Sequence, residues 1–243
     1  MLEEDRKLLE KLDCKRCQIL LKLPPELRHQ VLSYLPKHDI VAVNLPGNHG
    51  LPPTKIPLPA TAHAGDRLLR QETLIVTIES TTWSIHSWPG NQGFQAWLGG
   101  IDLTLASKTY ATGFDAVKSL MFEFFSRYPH RIKQPQDPNN DIELMLKCGN
   151  LEHVTTEWAG EELREYDRVT GTWNYKTVDQ LRVDYRLDRM LELRKLKKLE
   201  LVLCKGVGLG VLPELGAWFV ANMPQVAGKA IEVVVKQKYG YLA

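Results

Sequence analysis

Leu196-Lys-Lys-Leu-Glu-Leu-Val-Leu-Cys204 carries an apolar run, Leu199–Cys204, that reads as a buried strand entered from a helix. That helix, Val183–Arg194, sets Val183, Leu187, Met190 and Leu191 on one face. Earlier in the chain, Cys148-Gly-Asn-Leu-Glu-His-Val154 has the same build: a helix over Asp141–Cys148, then Leu-x-x-Val, then a strand over Leu151–Glu157. A chain that repeatedly leaves a strand, runs through a helix and returns makes right-handed crossovers, which lay neighbouring strands parallel. The fold class that follows is α/β, with a mostly parallel sheet and crossover helices.

Outward from these junctions the alternation continues. Pro213–Ala221 predicts a helix and Ile231–Lys236 a final strand. In the other direction, Val117–Phe125 reads as a strand, Phe94–Leu98 as a short helix, and the β-branched Thr73–Glu79 as a strand. The two like junctions have the cadence of an irregular leucine-rich repeat, although their spacing exceeds the roughly 20–29 residues of regular repeats. Two layouts stay open: a short leucine-rich-repeat-like curved sheet, or another α/β layering.

Residues 3–21 are rich in Glu, Lys, Leu and Arg and predict an amphipathic helix that Pro24 stops. A second helix starts at Pro25, favoured in a first turn, with Glu26 where the helix dipole favours an anion. Leu23, Leu27, Val31 and Leu35 recur every four residues beside Tyr34, Pro36 ends the helix, and Asp39 is placed to cap a short helical stretch through Val43. Asn44–Pro59 then holds five prolines and two glycines in sixteen residues, a composition that excludes helix and central strand. The expected organisation is a helical segment over 1–43, a proline-rich linker or loop over 44–65, and an α/β domain over 66–243.

Leu23-Pro-Pro-Glu-Leu-Arg, followed by Val31-Leu-Ser-Tyr-Leu-Pro-Lys-His-Asp-Ile40, resembles the opening of an F-box. The Pro-Pro-Glu-Leu-Arg form is similar to fungal F-box-like proteins, as are Leu68-Leu-Arg-Gln-Glu-Thr-Leu-Ile75 and Gly93-Phe-Gln-Ala-Trp-Leu-Gly-Gly-Ile101. What the resemblance implies is a non-enzymatic adaptor, a substrate-recognition subunit of a cullin-type ubiquitin ligase. An Skp-type adaptor protein would pack on Leu23, Pro24, Leu27, Val31, Leu32, Leu35 and Ile40. The α/β domain would recognise a protein target that the sequence does not name. Where a full F-box continues into a third helix, this chain has its proline tract.

Two other readings compete. A leucine stripe also serves as a domain's own core, which makes the chain a structural or interaction protein with no ligase role. Alternatively it binds nucleic acid or a nucleotide. Gly206-Val-Gly-Leu-Gly210 follows a strand and precedes a helix, yet it lacks the Gly-x-Gly-x-x-Gly spacing. Arg182, Arg186, Arg189, Arg194, Lys195, Lys197 and Lys198 form a basic cluster interleaved with Asp184, Asp188 and Glu192, the pattern of a solvated face.

Composition narrows the field further. Thirty-one basic and 29 acidic side chains leave a formal charge of +2, which gives no global drive toward nucleic acid or an anionic membrane. The N-terminus is acidic where a secretory signal is basic, and no apolar run approaches a membrane span. Four cysteines make no disulfide framework, so the expectation is a reduced cytoplasmic or nuclear protein. Cys14-x-x-Cys17 with His29 and His38 lacks the spacing of a zinc site, leaving no metal and no cofactor expected. Neither a nucleophile elbow nor a His–Glu metal motif occurs, and His63 with Asp66, or His86, are solitary acid–base candidates.

Overall fold

The computed structural model describes residues 19–34, 40–43, 66–123, 125, 138–205, 209–226, 228 and 230–238. Six parallel strands form the main sheet: β1 (Ile40–Val43), β2 (Thr82–Ile85), β3 (Ser119–Phe122), β4 (His153–Ala159), β7 (Lys198–Lys205) and β8 (Glu232–Gln237). Their spatial order is β1-β2-β3-β4-β7-β8, so each strand lies beside the one before it in the chain. Between β4 and β7 a two-stranded antiparallel ribbon is inserted, β5 (Arg164–Asp167) with β6 (Thr172–Tyr175).

Parallel strands added in chain order by crossovers of the usual right hand carry their helices on one face. These are α2 (Arg67–Ser80), α3 (Trp88–Gly99), α4 (Gly113–Ala116), α5 (Asn140–Lys147), α6 (Val178–Tyr185) and α7 (Leu212–Asn222). Alternate strand residues Val41, Trp83, Leu120, Val154, Leu199 and Leu201 point toward them into a single core, meeting Ile78, Phe94, Leu98, Leu144, Leu215 and Phe219. Trp83 sits at its centre, fully enclosed, with its indole N–H bonded to the Ile78 carbonyl at 3.2 Å. Burying such a side chain is worth about 3 kcal/mol.

The parallel-sheet expectation holds, and the strands at 119–122, 153–159, 198–205 and 232–237 fall where the sequence put them. Three local expectations are corrected. Thr73–Glu79 lies inside α2, not in a strand. The Asp66 carboxylate caps that helix on the Leu69 N–H at 2.8 Å, and the Thr73 hydroxyl bonds back to the Leu69 carbonyl. A continuous apolar run does not by itself separate a buried strand from a helix buried on two sides. Residues 40–43 are strand β1 where a helical stretch was expected; Val41 and Val43 are buried while Ile40 is exposed. Finally, Val183–Arg194 is two elements. Arg186 takes a left-handed φ of 60° and ends α6, and a 3₁₀ turn follows over Leu187–Glu192.

The first helix, α1 (Pro25–Ser33), packs on α2. Leu32, Leu69 and Val76 form a small second core there, with Leu20 and Leu21 against it. The boundary expected after residue 43 thus follows a strand of the main sheet, and α1 is joined to the domain through α2. Among the described residues, no helix is long and apolar enough to cross a membrane.

Candidate functional site

Two surfaces carry the candidate residues. On α1, Leu27 and Val31 stand one turn apart and are 47% and 44% exposed, with Ile19 and Tyr34 also exposed. Pro24 is exposed at the helix start and Leu23 is half-buried. Leu32, by contrast, is buried against α2, and Leu35 lies outside the described residues. The helix is pinned by Arg28, whose Nε and Nη2 each donate to Glu72 at 2.8 Å while Nη1 donates to the Leu23 carbonyl. The Glu72 hydrogen bond raises the pKa of Arg28, so the guanidinium stays charged.

Ile40 separates from the rest of its set. As the first residue of β1 it lies on the face of the sheet that carries no helix among the described residues. There it lines a groove of about 540 Å³ together with Thr82, Ser119, His153, Lys198 and Glu200. This open face follows from strand alternation: residues two apart in β4 (His153, Thr155, Glu157) and in β7 (Lys198, Glu200, Val202) project on the same side.

Its charges are held in compensated pairs. Glu200 sits between Lys198 at 2.9 Å and Lys236 at 2.6 Å. Burial lifts the Glu200 pKa, but the two lysines outweigh it and hold the carboxyl below its ordinary range. Toward the C-terminal ends of the strands, Glu123 accepts from the Ser84 hydroxyl at 2.8 Å and faces His86 Nδ1 at 2.7 Å. Burial again opposes these bonds and loses, leaving Glu123 low. Next to it, Glu157 is nearly enclosed and binds Lys238 at 2.9 Å.

Cys204 neighbours that pair, and burial followed by the Glu157 carboxylate pushes its thiol up to about 12. It therefore stays protonated at neutral pH and is a poor nucleophile. Glu123, Glu157, Glu200 and Lys238 escaped the sequence reading, and Cys204 was read only as a reduced thiol in a strand. Their signal was the period-2 recurrence of polar residues within strands otherwise read for their leucines.

The remaining candidates disperse. Cys14, Cys17, His38, His63 and residues 206–208 lie outside the described residues, and His29 is exposed on α1. Among the described residues, no group of three or more His, Cys, Asp or Glu is placed to hold a metal ion. Gly210 has a φ of +56°, and the Tyr175 ring occupies the space its Cβ would need, a structural reason for glycine there. In the basic cluster, Arg182 is paired with Asp179 and Asp188, Arg189 with Glu143 and Glu192, Lys197 with Glu152, and Lys198 with Glu200. Arg182 also lies 4.8 Å from the Trp218 ring centre.

Compared with protein-family models, with curated proteins and with solved structures, the chain finds no match in any of the three.

Proposed function

We propose that the chain is a protein–protein adaptor of the F-box-like kind. In this reading α1 docks an Skp-type adaptor protein, and the α/β domain, built as a short leucine-rich-repeat-like sheet, presents its open face to a target for a cullin-type ubiquitin ligase. The observation that carries the reading is the division of α1. Leu32 and Arg28 fasten the helix to α2, which leaves Leu27 and Val31 presented outward on a fixed support. An apolar pair held this way needs no folding of the helix on contact, so little ordering entropy opposes docking. The consecutive strand order and the polar face, free of helices among the described residues, support the second half, since stacked repeats use such faces for binding. The paired charges and protonated Cys204 favour recognition over catalysis.

Leu32 burial supports part of the rival reading, in which the helix serves only the chain's own interior. One experiment separates them. Leu27→Asp is expected to abolish co-purification with an Skp adaptor while changing stability by no more than about 0.5 kcal/mol. Leu32→Asp is expected to unfold the α1–α2 unit, because it buries an unpaired charge. If the wild-type chain shows no Skp binding at micromolar concentration, the ligase role is wrong. Unfolding of Leu27→Asp would assign the stripe to the core.

A further inference from the structure

β8 is the last strand of the sheet, and among the described residues no strand pairs with its outer edge along Val233–Val235. The Glu232 N–H donates to the Lys197 carbonyl and the Lys238 N–H to the Leu203 carbonyl, so even-numbered residues turn their backbone groups inward to β7. By the alternation of a parallel ladder, Val233 and Val235 turn theirs outward. The strand reads Glu-Val-Val-Val-Lys-Gln; it carries no proline, and its two charges, Glu232 and Lys236, both lie on the open face, opposite in sign and four residues apart.

We infer that this edge is an interface for a second copy of the chain, joined antiparallel about a twofold axis through Val234. An antiparallel pair must match outward-facing residues with outward-facing residues. Centred on Val234, the register sets Val233 opposite the Val235 of the other copy and Glu232 opposite its Lys236, each twice by symmetry. Charge meets opposite charge on the open face, and valine meets valine on the helix side. Centring on Val235 instead would set Lys236 against Val234, and so is inferior. The two copies would form one continuous twelve-stranded sheet.

The helix above β8 is consistent with this. Gly216 brings α7 down onto Val233 and Val235, where an added Cβ would lie 2.9 Å from Val235 Cγ2. Both valines nonetheless remain half-exposed. Beyond them Pro213, Ala217 and Val220 lie exposed on one flank of α7, with Val220 46% accessible. These are small or apolar residues on the flank away from Trp218, which packs with α6 through Arg182. A twofold mate would bring its own α7 alongside that flank.

The test is sedimentation of the full chain at micromolar to hundred-micromolar concentration, with two charge variants whose folding is checked by circular dichroism. The wild type is expected to dimerise. Glu232→Lys and Lys236→Glu, each alone, set like charges opposite one another twice and should weaken the dimer about tenfold, the second also giving up the 2.6 Å pair with Glu200 of its own chain. Mixed one to one, the two variants restore both pairs and should recover a heterodimer of wild-type strength. A monomeric wild type across that range would overturn the inference, as would dimers indifferent to both variants. Failure of the mixture to re-associate would overturn the register.

Discussion

Arg28 on α1 and Glu72 on α2 bind each other through two hydrogen bonds of 2.8 Å, with only 8% and 12% of their side chains exposed. Both residues lie in stretches read first for their resemblance to an F-box, and neither was assigned a structural role there. Their pairing is what converts an N-terminal helix into part of the domain. Arg28→Ala leaves an almost enclosed carboxylate without its partner and is expected to cost about 3 kcal/mol in chemical denaturation. Arg28→Lys should recover only part of that, since one ammonium does not reproduce the two-pronged contact.

Gly90 in α3 approaches β1 so closely that an added Cβ would sit 2.7 Å from the Val43 carbonyl oxygen. That oxygen belongs to backbone, which yields less readily than a side chain. Gly90→Ala is expected to destabilise the fold by about 1–3 kcal/mol. Hydrogen exchange should locate the loosening at β1, the edge strand beneath the helix, with β4 and β7 unaffected.

Acid should weaken the open face in a defined window. Glu123 and Glu200 both have folded pKa values below their unfolded value of about 4.5. Their stabilisation is therefore present above that value and lost as pH falls through the folded values. Urea midpoints are expected to hold between pH 7 and 5 and to drop below about 4.5. Glu123→Gln should lower the midpoint at pH 7 and reduce its fall on acidification, because the variant has one fewer carboxylate to protonate.

The sheet was legible because β7 carries the apolar run Leu201–Cys204 and β4 is entered through a helix-to-Leu-x-x-Val junction like the one before β7. The F-box-like stripe was legible as a stripe, but its division was not. Leu27, Val31 and Leu32 are all apolar, and only the position of α2 decides that Leu32 turns inward. Thr73–Glu79 misled because β-branched residues suit both a strand and a helix enclosed on two sides, and the Asp66 cap lies seven residues upstream of the run. The ribbon β5–β6 passed unread, since Tyr166 and Trp173 pack on each other at 5.4 Å and leave no apolar alternation toward the core. The polar cluster of Glu123, Glu157 and Lys238 joins three strands far apart in the chain, a proximity that only the register creates.

The consecutive order of the six strands has a kinetic side. Each ladder closes over a single crossover, so assembly can start at the longest ladder, β4 with β7, and accrete outward one strand at a time. The two ends are then the last parts to settle and the first to fray. Those ends are β1 and the β8 edge, and the second of them is where a second copy is proposed to sit. An occupant at either end would act as a terminal cap on a one-dimensional array, slowing unfolding of the central strands it never touches.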